Sequence, residues 1–184
     1  MTELASPGQL RAALLRWSLV TIPGTLMLGF LSGRLAQSGP GNPWFDALAK
    51  PSLYPPSAVF GIVWSILYVF IGFALALVVS ARGAPGRGAA IAAWIVQFVL
   101  NLAWTPVFFA AHQITGALGV IAALDAAVLV TLVLFWRVRT LAGALLLPYL
   151  AWVLFATALN WQFLEANPDA DGQDVSGAVS RIEI

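Results

Sequence analysis

The residues of this 184-residue chain that could do chemistry are aromatic rings and carboxamides. Phe60, Trp64 and Tyr68 recur every four positions. Trp94, Gln97, Asn101, Trp104 or Thr105, and Phe108 make a second run, and Tyr149, Trp152, Ala156 and Asn160 a third. Residues three or four apart share one face of an α-helix, so each run becomes a stripe if its segment is helical. Taken singly, each residue has an ordinary structural reading, because buried amides bond neighbouring helices and aromatics pack widely. Taken together, three aromatic faces with amides among them suit a pocket for a large, flat, mostly apolar ligand. Other chemistry lacks its residues. There is no cysteine and His112 is the only histidine, which excludes thiolate sites and a histidine-rich metal centre. No general acid–base pair or nucleophile triad is present, so hydrolytic or ordinary redox catalysis has no candidates. A net charge of +1 with no basic stripe excludes nucleic-acid binding.

The elements that must position these stripes follow from composition. Hydrophobic residues make up 60% of the chain and charged ones only 9%, against about 25% charged in soluble domains. That is the composition of an integral membrane protein. A spanning helix needs about 20 apolar residues, and the gaps between charges yield five spans, near 14–36, 58–81, 89–111, 114–136 and 140–164. Hydrocarbon offers the backbone no partners, so each span must be helical. The fold class expected is therefore an all-α, five-transmembrane-helix bundle with a short helix in its first loop. Residues 1–12 form an arm, 13–167 the membrane domain, and 168–184 a polar tail read as disordered. The first span has a signal-peptide-like layout but no A-x-A cleavage site, and Gly29 and Gly33 make a small-xxx-small packing face, so it is read as retained. Arg11, Arg16, Arg82, Arg87, Arg137 and Arg139 fall on one side, which places the N-terminus in the cytoplasm and the C-terminus opposite.

Asp125 is the one acid in the middle of a span. It reads either as a carboxyl bonded to a neighbouring helix or as a proton-coupling site. With no second buried ionisable group beside it, the first reading weighs more. Pro106 and Pro148 at helix depth are expected to kink their spans. His112 falls at a helix end near the membrane interface. The loop 37–57 is the one connection with structure of its own. Asn42-Pro43 is a helix start, Asp46 lies in its first turn with Lys50 four residues on, and Pro51 is expected to stop a two-turn helix. Trp44, Phe45 and Leu48 on that helix must cover something apolar. It is either an interfacial anchor or a lid.

These residues resemble the TspO/MBR (translocator protein, tryptophan-rich sensory protein, peripheral-type benzodiazepine receptor) family. The likeness runs in order through Trp44-Phe-Asp-x-Leu-x-Lys-Pro51, Pro55-Pro56 and Phe60-x-x-x-Trp64-x-x-Leu-Tyr68-x-x-x-Gly72. It continues through Gln97-x-x-x-Asn101-x-x-Trp104-x-x-x-Phe108-Phe109, Asp125, and Pro148-Tyr149-x-x-Trp152-x-x-x-Ala156-x-x-Leu159-Asn160. It implies a five-helix bundle, usually dimeric, whose cavity the first loop closes. It implies ligands such as protoporphyrin IX and haem, bound as ligands and not as obligatory cofactors, with pocket positions at Trp64, Asn101, Trp152 and Ala156, and Phe45 from the lid. A receptor or carrier with a sensory or transport role follows, and the enzyme assignment stays open. The alternatives are light-dependent porphyrin breakdown through Trp64 and Trp152, or a proton-coupled exporter using Asp125. Phe45 stands where some members carry Tyr, which removes a hydroxyl from the lid. The end of span five, Asn160 to Asn167, lacks the Tyr followed by a basic residue of the animal sterol motif, so sterol binding through it is not expected. The arginine bias favours a bacterial cytoplasmic membrane over the outer membrane, where some bacterial relatives are placed.

Overall fold

The computed structural model describes residues 6–173. Among these described residues seven helices run: α1 (Pro7–Leu35), α2 (Pro43–Ala47), α3 (Ser57–Ser80), α4 (Arg87–Phe109), α5 (Ile114–Val138), α6 (Thr140–Leu145) and α7 (Leu147–Ala166). Five segments are long and apolar enough to cross a membrane, with α6 and α7 together making the fifth, Thr140–Ala166. Large apolar side chains such as Leu19, Met27, Ile62, Val99 and Leu154 stay exposed on the outside of the bundle. In water such a surface would aggregate; against lipid it is the solvated face. The chain is an integral, multi-pass membrane protein.

Helix ends follow local chemistry, with some departures from the sequence reading. α1 begins at Pro7, inside the segment read as an arm, because Ser6 and Gln9 form a reciprocal capping box and Pro7 needs no donor. The fifth span breaks at Leu146, two residues before Pro148, whose ring cannot donate to the helix before it. In α4, Pro106 also lacks an N–H, which frees the carbonyl of Leu102. Ser32 Oγ of α1 donates to that oxygen at 2.9 Å, so the missing helical bond becomes an interhelical one.

Packing sets the rotation of each helix. α1 lies along α3, close enough that Thr21 and Thr25 donate to the Gly72 and Tyr68 carbonyls at 2.7 and 2.9 Å. A Cβ on Gly72 would sit 2.8 Å from Ile22 Cα, and one on Gly29 2.2 Å from the Tyr68 ring. Gly29 thus serves as a packing face inside the protomer, against Tyr68 of α3. Gly119 on α5 keeps open space. α4 packs on α5, and α5 on α7, while α3 and α7 touch little. The gap between those two helices holds the cavity.

The segment after α7 corrects an expectation. Residues 168–173, read as the start of a disordered tail, are ordered against the lid and the α4–α5 connection; 174–184 lie outside the described residues. α5 starts at Ile114 without a side-chain cap from Gln113, and the Asp171 carboxylate accepts from the Ile114 and Thr115 N–H groups instead. An anion at a helix N-terminus is favoured by the unpaired donors there and by the dipole.

Candidate functional site

The cavity opens between α1, α3, α4, α5 and α7 beneath the α1–α3 loop, with a volume of about 710 Å³. That falls within the roughly 300–1,000 Å³ of small-molecule sites. Of the residues singled out from sequence, Trp64, Tyr68, Asn101, Trp104, Phe108, Trp152, Ala156 and Phe45 line it. Trp64 stacks on Tyr68 at 5.2 Å between centroids, and Trp152 meets Phe60 edge-on at 5.8 Å. The wall is therefore a set of interlocked rings, held in place by one another.

Gln97 and Tyr149 are not among the lining residues. Both are fully buried behind the wall, where they close a hydrogen-bonded chain. Tyr68 donates to Asn101 Oδ1 at 3.1 Å, Asn101 Nδ2 donates to the Tyr149 oxygen at 3.1 Å, and the Tyr149 hydroxyl donates to Gln97 Oε1 at 2.9 Å. Trp104 is fixed in the same way, its indole N–H donating to Asn160 Oδ1 at 3.0 Å. An amide side chain offers two donor hydrogens and two acceptor sites. Asn101 spends one donor and one acceptor on the tyrosines and keeps capacity for a guest. The amide stripe thus acts first as internal scaffolding that orients the aromatic wall.

The loop is a lid in geometry. Asn42 caps α2, accepting from the Phe45 N–H, and its Nδ2 donates to the Phe109 carbonyl at 3.1 Å. Gly39 and Gly41, both at φ 94°, turn the chain over the cavity mouth through backbone conformations that side chains resist. Phe45, 3% exposed, packs among Tyr54, Phe108, Phe109 and Phe163. Trp44 is not among the lining residues; it stacks on His112 at 4.7 Å and donates from Nε1 to the Ala170 carbonyl at 3.2 Å. These residues form an apolar cluster separate from the core deeper in the bundle.

Two lid expectations change. α2 ends at Ala47, well before Pro51, because Leu48 turns extended to bury its side chain. Lys50 therefore leaves the helical register that would pair it with Asp46. Asp46 accepts from the Gly41 N–H at 2.9 Å, and the Lys50 ammonium donates to the Phe45 and Leu48 carbonyls and lies 4.2 Å from the centre of the Phe45 ring. Partial burial holds the Lys50 pKa below its ordinary value, against a smaller opposing pull from Asp46. Pro51 and Lys50 thus shape the lid without lining the cavity.

Asp125 also stays out of the cavity lining. Its Oδ2 accepts from Thr157 Oγ1 of α7 at 2.8 Å, an α5–α7 link of the structural kind. Sequence reasoning missed the contribution of α1, where Gly29, Phe30, Gly33 and Arg34 line the cavity with the loop that follows. The Gly29/Gly33 spacing was visible, but spacing alone does not say which surface a small residue meets. Among the described residues, no group of acids and histidine could hold a metal ion.

Comparison with known proteins agrees with this architecture. The family model described as TspO/MBR matches residues 20–165. Protein CrtK of Rhodobacter capsulatus is 39% identical over 127 residues, 68% of this chain and 79% of its own length. The Translocator protein of Homo sapiens is 38% identical over 136 residues, 73% of this chain and 80% of its own. The Tryptophan-rich sensory protein of Cereibacter sphaeroides is 36% identical over 124 residues, 67% and 77% of the two chains. A match across most of the bundle, with the lid and all three aromatic stripes inside it, means that this chain belongs to the TspO/MBR family of membrane receptor and sensory proteins.

Proposed function

We propose that the cavity binds a tetrapyrrole, protoporphyrin IX or haem, or a ligand of similar flat apolar shape, and that the protein acts as its membrane receptor or carrier. The observation that carries this reading is the cavity itself: about 710 Å³, faced by Trp64 and Trp152 and covered by an ordered lid. A flat macrocycle gains most from broad aromatic faces, because ring stacking adds to the burial of its surface. The two indoles are the platform. Asn101 retains a donor and an acceptor for the ligand's polar edge. The arginine distribution supports a cytoplasmic N-terminus, and the open space at Gly119 is the position at which a second copy could approach closely.

Quenching of tryptophan fluorescence on titration with protoporphyrin IX tests the reading. Each stacked ring contributes about 0.5–1.5 kcal/mol beyond its buried area, so Trp64→Ala with Trp152→Ala should weaken binding by about tenfold or more. An unchanged affinity in the folded double variant would remove these indoles from the site. No saturable binding to the wild-type protein would refute the reading as a whole.

A further inference from the structure

Arg34 is the only charged residue among those lining the cavity. It sits in the last turn of α1, where a cation is favoured by the helix dipole. Yet its guanidinium bonds none of the terminal carbonyls. Backbone donors take these: Ala36 N–H goes to Ser32 O, Ser38 N–H to Gly33 O, and Gln37 N–H to Arg34 O. The nearby lid charges are also occupied, Asp46 by the Gly41 N–H and Lys50 by two carbonyls. Arg34 is left exposed, with five donors and no partner among the described residues.

Its height in the bundle is informative. Thr21 and Thr25 bond the Gly72 and Tyr68 carbonyls, so α1 and α3 run antiparallel in a register that sets Gly29 level with Trp64. Arg34 lies five residues further along α1, about 7.5 Å towards the lid at the helical rise. Arg34 therefore stands on the cavity wall one turn or so above Trp64, on its lid side. A flat body resting on Trp64 would present its lid-side edge to the guanidinium.

We propose that Arg34 pairs with a carboxylate of the ligand, so that the cavity selects amphipathic acids: a flat apolar body with ionised carboxylates on one edge. This rests on the tetrapyrrole reading above and adds a direction to it, with the acidic edge under the lid and the apolar body towards Ile121, Leu124 and Val153. A planar guanidinium accepts a carboxylate through two parallel hydrogen bonds, which an ester cannot reproduce in charge.

The test compares protoporphyrin IX with its dimethyl ester on the purified full chain in a maltoside detergent, which carries no phosphate to compete for Arg34. The wild-type protein should bind the diacid about tenfold more tightly than the diester, the size of one charge-assisted pair. Arg34→Gln should bring that ratio close to one by weakening the diacid alone, and Arg34→Lys should restore part of the preference. Equal affinities in the wild-type protein, or a preference that survives Arg34→Gln, would overturn the role of Arg34 while leaving the tetrapyrrole site standing. If neither compound binds saturably, the tetrapyrrole reading and this inference fall together.

Discussion

The lid is fastened by the chain that follows the last helix, and Asn167 is the place to loosen it. The Ala49 N–H donates to Asn167 Oδ1 at 2.8 Å, and Asn167 Nδ2 donates back to the Ala49 carbonyl at 3.0 Å and to the Phe163 carbonyl at 2.9 Å. Asn167→Ala removes both bonds to the lid. A hydrogen bond contributes about 0.5–1.5 kcal/mol net, and exposed ones fall at the lower end, so the pair should contribute about 1–2 kcal/mol. The rest of the lid holds through Trp44, Phe45 and Leu48, all buried, at about 1.5–3 kcal/mol each. The variant should therefore keep its lid folded while raising the open population about 5- to 30-fold. Hydrogen exchange followed by mass spectrometry over residues 42–50 reads this directly, since the Asp46, Leu48 and Ala49 N–H groups are all bonded in the closed form. Asn167→Asp, which keeps the acceptor and loses the donor, should fall between. Unchanged exchange in the lid peptide would refute the fastening, and an equal rise throughout the bundle would show global destabilisation instead.

Two further outcomes follow from close packing and from the buried polar chain. Gly72→Ala places a Cβ against the backbone of α1, which cannot yield, whereas Gly29→Ala meets a tyrosine ring that can rotate at the expense of its bond to Asn101. Both should lower the melting temperature in detergent, Gly72→Ala more, with overpacking costing about 1–3 kcal/mol and each kcal/mol about 2–4 °C at this size; a neutral Gly72→Ala would contradict the contact. Tyr149→Phe leaves Asn101 Nδ2 and Gln97 Oε1 without their shared partner, at about 1–3 kcal/mol. Its melting temperature should drop and its porphyrin affinity should weaken less than in the Trp64 variant, because Tyr149 does not line the cavity; the reverse order would place Tyr149 in direct contact with ligand.

Much of the site was legible because helical spacing is a one-dimensional signal. Phe60, Trp64 and Tyr68 share a face in any helix, and Trp152 and Ala156 do so in α7. Spacing could not separate the residues that face the cavity from those one layer behind. Gln97 falls on the same stripe as Asn101, yet a small rotation of α4 places Asn101 at the wall and Gln97 behind it, bonded to Tyr149. The role of Asp171 had a faint signal: α5 begins at Ile114 with no capping side chain before it, and such donors need a partner from elsewhere. Composition pointed the other way, because a short acidic stretch with few apolar residues reads as solvated tail.

Sequence alone determined that this is a five-span membrane bundle with an aromatic, amide-bearing interior. Span length and the absence of charge are set against the thickness of the bilayer, and neither depends on which helices become neighbours. Tertiary structure decided everything that requires knowing what a residue meets. It gave Gly29 to Tyr68, turned Lys50 from Asp46 towards the lid carbonyls, and placed Arg34 at the cavity wall. It also brought Asn167 and Ala170 against the lid. Apolar length sets a helix's place in the bilayer. Its rotation about its own axis, and the partners of its polar groups, come from packing and from the need of buried donors and acceptors to be satisfied.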